Sequence, residues 1–375
     1  MIACAPVSTA PLTGLRVIDL SRLLPGAFAT LMLAELGAEV IKIEDPRGGD
    51  PMRQLPPLVG GRGLYHLLLD RGKKSVALDL RQPASAATLD RLIAASDVVV
   101  ESFRPATAAR LGVSGAQIRE RHPRVIHCAI TGYGQTGPYA DRPGHDLNYV
   151  AISGLLAADR PVLTELPRMF IADVGGGAMT AVIGILAAIV GRTRTGAGAT
   201  LDISMHEAAM YWLMVPAARD LVDGGRDAPG DLPTFGDHAC YHVYRTKDDR
   251  QIALGALEPK FWLAFCDAVG RGDLRSRQLT SPDDQAALIA DVGAIFRTRT
   301  RDEWLALVAS HDVCLTPVNR PDEAFADPHA MARGVVADVP GGRTIRPPFL
   351  GEAVALAPAP RLGQHTEDVL SPLQP

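Results

Sequence analysis

Three ionisable residues, His145, Asp173 and Glu258, stand in local sequences that could support acid–base chemistry. His145 follows a loop of turn-forming residues, and it could act as a neutral base because the unperturbed pKa of histidine is about 6.5. Glu258 follows a strand-like segment and precedes Pro259, as a carboxylate at a helix N-terminus would. Each residue taken alone has an ordinary structural explanation, so none of them predicts a mechanism by itself.

Asp173 lies before three glycines and an apolar stretch, residues 178–190, which predicts a buried helix. Aspartate is a favoured N-cap residue, and a helix N-terminus would lower the pKa of its carboxyl group. The glycines could let a ligand approach the backbone closely. We therefore predict that the amides of Gly175 and Gly176 bind an oxyanion.

One glycine motif does not predict a cofactor. Residues 132–137 match the dinucleotide pattern G-x-G-x-x-G, but Pro138 follows directly. The mechanism of that pattern requires the glycines to open a helix that holds a pyrophosphate. We interpret the segment as a tight turn that lines a cleft, and we predict no redox cofactor.

Short apolar strands alternate with helical segments in the first half of the chain. Such alternation predicts a doubly wound, Rossmann-like α/β domain. A stretch rich in turn formers near residue 225 predicts a linker, and a mixture of strands and helices follows it. The predicted organisation is a large domain (residues 1–205, completed by 340–375), a linker (206–230) and a small α+β domain (231–330).

Composition limits the classes of partner. The 375 residues carry a formal net charge of -4, with charges spread along the chain, so we predict no nucleic-acid partner. The five dispersed cysteines form no zinc pattern, and the sequence shows no secretion signal, so we expect reduced thiols, no metal site and a cytoplasmic location. Residues 178–190 fall short of the roughly 20 that cross a membrane, so we predict no membrane segment.

Taken together, the motifs resemble family III CoA-transferases, the CaiB/BaiF superfamily. The resemblance runs over nearly the whole chain, through residues 11–20 (PLTGLRVIDL), 36–46 (LGAEVIKIEDP), 69–80 (LDRGKKSVALDL), 101–105 (ESFRP), 131–138 (TGYGQTGP) and 312–317 (DVCLTP). Within the superfamily, the chain resembles α-methylacyl-CoA racemases at residues 144–149 (GHDLNY) and 255–261 (GALEPKF).

The resemblance implies roles for the three ionisable residues. In such racemases the matching His145 and Glu258 lie on one side of the acyl α-carbon, and Asp173 lies on the other. In the transferases the matching aspartate is a nucleophile that forms an acyl anhydride. The alternatives are therefore a racemase of 2-methylacyl-CoA, a CoA-transferase, or a CoA-binding protein without turnover.

The resemblance also implies an acyl-CoA substrate, no separate cofactor and an interlocked homodimer, in which Glu258 would come from the partner subunit. CoA contacts are expected at Arg71, Lys73, Lys74, Arg104 and Tyr149. One departure concerns Met169, which replaces the asparagine found four residues before the catalytic aspartate in the racemases. This change bears on the acyl pocket.

Overall fold

The computed structural model describes residues 10–158, 169–225, 233–234, 236–339, 342–350, 354 and 356–373. Contacts divide the chain into a large unit, Met1–Val222 with Met331–Pro375, and a small unit, Asp223–Ala330. Four cysteines in the described part are free thiols, and Cys4 lies outside it.

A parallel sheet forms the centre of the large unit and confirms the predicted α/β class. The strands of this unit are β1 (Arg16–Asp19), β2 (Glu39–Glu44), β3 (Leu58–Val59), β4 (Arg62–Gly63), β5 (Lys74–Ala77), β6 (Val98–Glu101), β7 (Ile126–Thr131) and β8 (Thr200–Ser204). Six of them pair in the order β5-β2-β1-β6-β7-β8, while β3 and β4 form a separate hairpin. This order reverses direction beside β1, where doubly wound sheets bind ligands.

Alternate strand residues face opposite helical layers. Val17 packs into the core shared with α1 and α8, whereas Ile18 packs against α3 and α5. Both faces are thus buried, as parallel sheets require. The helices of this part are α1 (Leu23–Glu35), α2 (Leu64–Leu69), α3 (Pro83–Ala94), α4 (Pro105–Arg110), α5 (Gly115–Arg121), α6 (Asp146–Ser153), α7 (Leu155–Ala158), α8 (Met179–Thr195), α9 (Met205–Tyr211) and α10 (Ala218–Leu221).

The apolar helix begins earlier than predicted. A π-helical segment, Ile171–Ala178, runs directly into α8, so Asp173 lies in the first turn and Phe170 occupies the N-cap. The N-cap assignment of Asp173 was therefore wrong. The continuous helix Ile171–Thr195 has 25 residues and is long and apolar enough to cross a membrane by length and composition, and 33% of its most apolar stretch is buried. The predicted apolar stretch, residues 178–190, is thus part of a longer helix.

The predicted linker, residues 206–230, was wrong over its first part. Met205 and Ala209 of α9 are buried in the core of the large unit, because α9 packs against the π-helical segment. Residues 226–230 lie outside the described part of the chain. The C-terminal return to the large unit starts at Met331 rather than at residue 340.

The small unit combines an antiparallel sheet with helices. Its strands, in the order β11-β10-β9, are β9 (Tyr241–Arg245), β10 (Gln251–Gly255) and β11 (Leu315–Pro317). Trp262 and Trp304 are buried there, and their indole N–H groups donate to the carbonyls of Leu274 and Phe296. The helices are α11 (Pro259–Ala268), α12 (Pro282–Phe296), α13 (Arg301–Val308), α14 (Pro321–Ala326) and α15 (Pro328–Ala332).

The C-terminal segment protects the edge of the central sheet. It contains β12 (Val336–Val339), β13 (Gly342–Ile345) and α16 (Thr366–Leu370). The amides of Ser75 and Ala77 on the edge strand β5 donate to the side chains of His365 and Thr366, at 3.1 and 2.9 Å. These bonds satisfy amides that an open edge would leave unpaired.

Candidate active site

A cavity of about 650 Å³ lies beside the start of the long helix. His145 and Asp173 both line it, so the structure brings together two of the three predicted acid–base residues. His145 is the N-cap of α6, and its backbone amide donates to Asn148 Oδ1 at 3.0 Å. The rest of the described lining is mostly apolar and includes no lysine or arginine: Tyr65, Asp146, Leu147, Val150, Leu156, Met169, Phe170 and Ile171.

The electrostatics of Asp173 differ from the prediction. Burial, and then the negative charge of Asp146, raise the pKa of Asp173 to about 6, while His145 acts to lower it. The prediction that the helix N-terminus lowers the pKa of Asp173 was wrong. The amides of Ala172 and Asp173 instead donate hydrogen bonds to Asp146 Oδ1, at 2.7 and 2.8 Å. Asp173 can therefore gain or lose a proton near neutral pH.

The glycines after Asp173 serve helix packing. A Cβ on Gly175 would lie 2.9 Å from the ring of Trp212, and a Cβ on Gly177 would lie 2.8 Å from Met205. The amide of Gly175 donates to the Phe170 carbonyl at 3.4 Å, and Gly176 lies inside the π-helical segment, whose amides bond along the helix. The role of Gly175 and Gly176 in binding an oxyanion stays a prediction, and their place in the π-helical segment does not favour it.

Unpaired amides lie instead at the start of α6. Within the described part of the chain, the amides of Asp146 and Leu147 have no acceptor. The first amides of a helix point outward along its axis and attract negative charge. The sequence analysis missed Asp146, although a carboxylate next to a candidate base and at a helix start was a visible signal.

Tyr149 makes structural contacts, and its predicted contact with CoA stays a prediction. Its buried hydroxyl donates to the Gly144 carbonyl at 2.6 Å, and burial and Asp173 raise its pKa to about 12. A Cβ on Gly132 or Gly144 would lie 2.5 or 2.6 Å from its ring. Tyr149 thereby fixes both ends of the loop that leads to His145, which explains those two glycines.

A second cavity, of about 310 Å³, lies at the carboxyl ends of β1, β2, β5 and β6. Phe103 and Leu80 provide apolar lining, and Arg22, Arg81 and Arg110 provide cations. Ligands of doubly wound sheets bind at this edge. The sequence analysis missed these three arginines, although Arg22 and Arg81 come shortly after strands; Arg110 is the last residue of α4.

The predicted CoA-binding cations occupy different environments. Arg104 is exposed at the N-cap of α4, and Lys74 is half-exposed and paired with Glu39 at 2.5 Å. Lys73 is buried between Asp70, at 2.8 Å, and the Ala27 carbonyl, at 3.0 Å. Its contact with CoA stays a prediction, and the burial of its ammonium group does not favour it.

Arg71 is likewise mostly buried. Its guanidinium donates to Thr344 Oγ1 at 2.8 Å and lies 3.7 Å from Glu35. Arg71 thus joins α1 to the C-terminal hairpin, and its role as a CoA contact stays a prediction.

Glu258 belongs to the small unit. It is the exposed N-cap of α11, and no hydrogen bond from its side chain caps that helix. The site in the large unit therefore contains His145 and Asp173, and Glu258 remains a predicted member.

Comparisons with known proteins agree with this architecture. The model of CoA-transferase family III matches residues 12–366. Human alpha-methylacyl-CoA racemase is 31% identical, over 96% of this chain and 92% of its own. Human succinyl-CoA:glutarate CoA-transferase is 32% identical, over 96% and 85%. A CAIB/BAIF family protein from Brucella suis superposes with a TM-score of 0.84 at 28% identity, over 98% of this chain and 100% of its own. The chain therefore belongs to CoA-transferase family III and is an enzyme of that family.

Proposed function

We propose that the enzyme interconverts the 2R and 2S forms of 2-methylacyl-CoA thioesters by proton transfer at the α-carbon. The observation that carries this proposal is the placement of His145 and Asp173 on one apolar cavity, with the pKa of Asp173 raised to about 6. General acids and bases work best when their pKa lies near the operating pH. Proton exchange of this kind requires no redox cofactor.

Each turnover moves one proton off the α-carbon and another onto it. The lone pair of the base forms the new N–H or O–H bond, and the C–H electrons move toward the thioester oxygen to give an enolate. The opposite group then donates its proton to the other face of the carbon. His145 and Asp173 exchange their protonation states in the process. The 2R and 2S substrates therefore require opposite protonation states of the two residues at the start of turnover.

The enolate oxygen needs preorganised donors. The free amides of Asp146 and Leu147 are the donors that the described structure offers beside His145. They lie at the N-terminus of α6, where the helix dipole also favours negative charge. We propose them in place of the glycine amides that the sequence suggested.

CoA itself would bind in the second cavity. The nucleotide phosphates would meet Arg22, Arg81 and Arg110, and the adenine would lie against Phe103. Arginine forms bidentate bonds with phosphate oxygens, which suits this cluster. Arg81 already pairs with Asp79 and Asp45, so binding would exchange partners of an exposed side chain.

A CoA-transferase is the second candidate, because relatives of similar identity include transferases for succinate, glutarate and malate. A pKa of about 6 still leaves Asp173 mostly ionised at neutral pH, as a nucleophile requires. A dicarboxylic acid, however, needs a cation for its second carboxylate. The described lining of the cavity offers only His145 for this, which favours the apolar acyl group of the racemase proposal.

We further propose that a second copy of the chain covers the exposed apolar surface near the site. Ile183 and Val190 on α8 are 67% and 54% exposed, and Tyr211, Trp212 and Val215 are 70%, 51% and 61% exposed. Large exposed apolar surfaces mark interaction sites. The resemblance names a second copy as the occupant and places Glu258 of that copy at the site.

The test uses a single enantiomer of a 2-methylacyl-CoA in deuterated water. Mass spectrometry measures deuterium at the α-carbon, and chiral chromatography measures the loss of stereochemical purity. The proposal expects both in the wild type. Stereochemical inversion should be lost in His145→Ala and in Asp173→Ala, and the variant that lacks the base for the supplied enantiomer should also lose deuterium uptake. Absence of exchange, together with transfer of CoA to a free carboxylate that survives in His145→Ala, would establish the transferase instead.

A further inference from the structure

Asp146 links the two sides of the candidate site. It is the first residue of α6 and follows His145 directly. Its Oδ1 atom accepts hydrogen bonds from the amides of Ala172 and Asp173, at 2.7 and 2.8 Å. One carboxylate oxygen therefore joins the segment that carries His145 to the helix start that carries Asp173.

The helix start lacks a cap of its own. Phe170 occupies its N-cap position and offers no side-chain acceptor. The first amides of any helix have no partner inside that helix, and a buried amide without an acceptor destabilises the fold. Ala172 is fully buried, so the bond from its amide to Asp146 supplies what the local sequence omits.

We infer that Asp146 is a positioning residue that holds His145 and Asp173 at one cavity, in the relative position that proton transfer requires. The inference rests on the proposed function and goes beyond it, since it gives the side chain of Asp146 a role that acts through neighbouring residues, separate from that of its backbone amide. Its side chain fixes the backbone of Asp173, while its own backbone continues from that of His145.

The charge of Asp146 adds a second effect. After burial, it is the main influence that raises the pKa of Asp173, and His145 opposes it. Tyr149, on the same helix, responds to the charge of Asp173 in turn. The other helices packed on this segment, α1, α8 and α9, contribute Ala29, Val182 and Ala209 to the shared core.

Two variants separate geometry from charge. Asp146→Asn keeps an acceptor oxygen and removes the charge, so we expect it to retain far more of the wild-type kcat than a variant that loses the acceptor. The limb of the kcat/KM profile that reports Asp173 should move to lower pH. Asp146→Ala removes the acceptor as well, and we expect kcat to fall about a hundredfold, as small misplacements of catalytic groups do.

A matched control lies in the small unit. Asp327 Oδ1 also accepts two backbone amides, from His329 and Ala330, at 2.9 and 3.3 Å. Asp327→Asn and Asp327→Ala should leave kcat and the pH profile unchanged. Hydrogen exchange followed by mass spectrometry gives a readout that does not depend on activity: the peptide covering residues 170–178 should exchange faster in Asp146→Ala, and not in Asp146→Asn.

The outcomes are distinguishable. Loss of kcat in Asp146→Ala with rescue in Asp146→Asn, faster exchange in the first and a shifted pH profile in the second support the inference. Wild-type kcat in Asp146→Ala, or unchanged hydrogen exchange, overturns it while the racemase stands. If the wild type itself incorporates no deuterium at the α-carbon, the proposed function fails, and the role in proton transfer fails with it.

Discussion

Neutralising Asp173 should stabilise the protein above neutral pH while abolishing activity. The pKa of this carboxyl is about 6, against an ordinary value of 3.8, because burial and Asp146 disfavour its ionised form. At about 1.36 kcal/mol per pH unit, the ionised carboxylate costs the native state on the order of 3 kcal/mol. Asp173→Asn removes that cost and keeps the shape of the side chain.

The sign follows from proton linkage. The native protein binds more protons than the unfolded chain between pH 3.8 and about 6, so this group makes the fold more stable as the pH falls through that window. The stability difference between Asp173→Asn and the wild type should therefore be small near pH 4, grow up to pH 6 and stay constant above it.

Thermal unfolding at several pH values measures the effect. For a unit of this size, about 3 kcal/mol corresponds to a rise in Tm of roughly 5 °C or more. Asp338→Asn is the matched control, since the side chain of Asp338 is 95% exposed. Equal Tm values for wild type and Asp173→Asn at pH 8, with that control unchanged, would refute the burial argument for Asp173.

Three further predictions follow from the site. Mixing His145→Ala with Glu258→Ala subunits should restore about a quarter of wild-type deuterium exchange. Half of the dimers are then mixed, and each mixed dimer has one intact site if the site is built from two chains. No recovery would show that both residues act within one chain. Gly175→Ala should lower Tm, since its Cβ would lie 2.9 Å from Trp212, and Gly175→Ala/Trp212→Ala should lose less than the sum of the two single variants; additive losses would contradict the packing role. Arg110→Ala should raise KM for acyl-CoA about tenfold with little change in kcat, as loss of a phosphate contact does; a fall in kcat at constant KM would place CoA elsewhere.

The fold was predictable because its signals are local. The strand segments β1, β2, β5, β6 and β7 alternate with segments of helical spacing, and burial on both faces of the sheet makes them rich in apolar residues. Gly37, at φ +97°, follows α1 as the sequence predicted. The boundary of the linker failed because α9 is held by its contacts with the π-helical segment, which no local pattern reveals.

The site was predictable in part. His145 and Asp173 do meet at one cavity, and resemblance rather than spacing predicted their partnership. The environments of the predicted cations could not be read from the sequence: Arg71, Lys73 and Lys74 lie within four residues, yet the first two pair with buried carboxylates and Lys74 is half-exposed. A run of basic residues predicts charge, and the fold decides which charges a ligand can reach.

The pKa of Asp173 is raised, whereas the sequence predicted that it would be lowered. This difference is the most informative of those between sequence and structure. One acceptor is enough to cap the helix that starts at Ile171, and Asp146 provides it. The carboxylate of Asp173, in the first turn of that helix, then lies near the like charge of Asp146 and is partly buried. This arrangement destabilises the ionised form of Asp173. Local conflicts of this kind occur where chemistry requires them, because an acid–base group must hold its proton near the working pH. The pair of aspartates thus supports proton transfer by an argument that is independent of any relative.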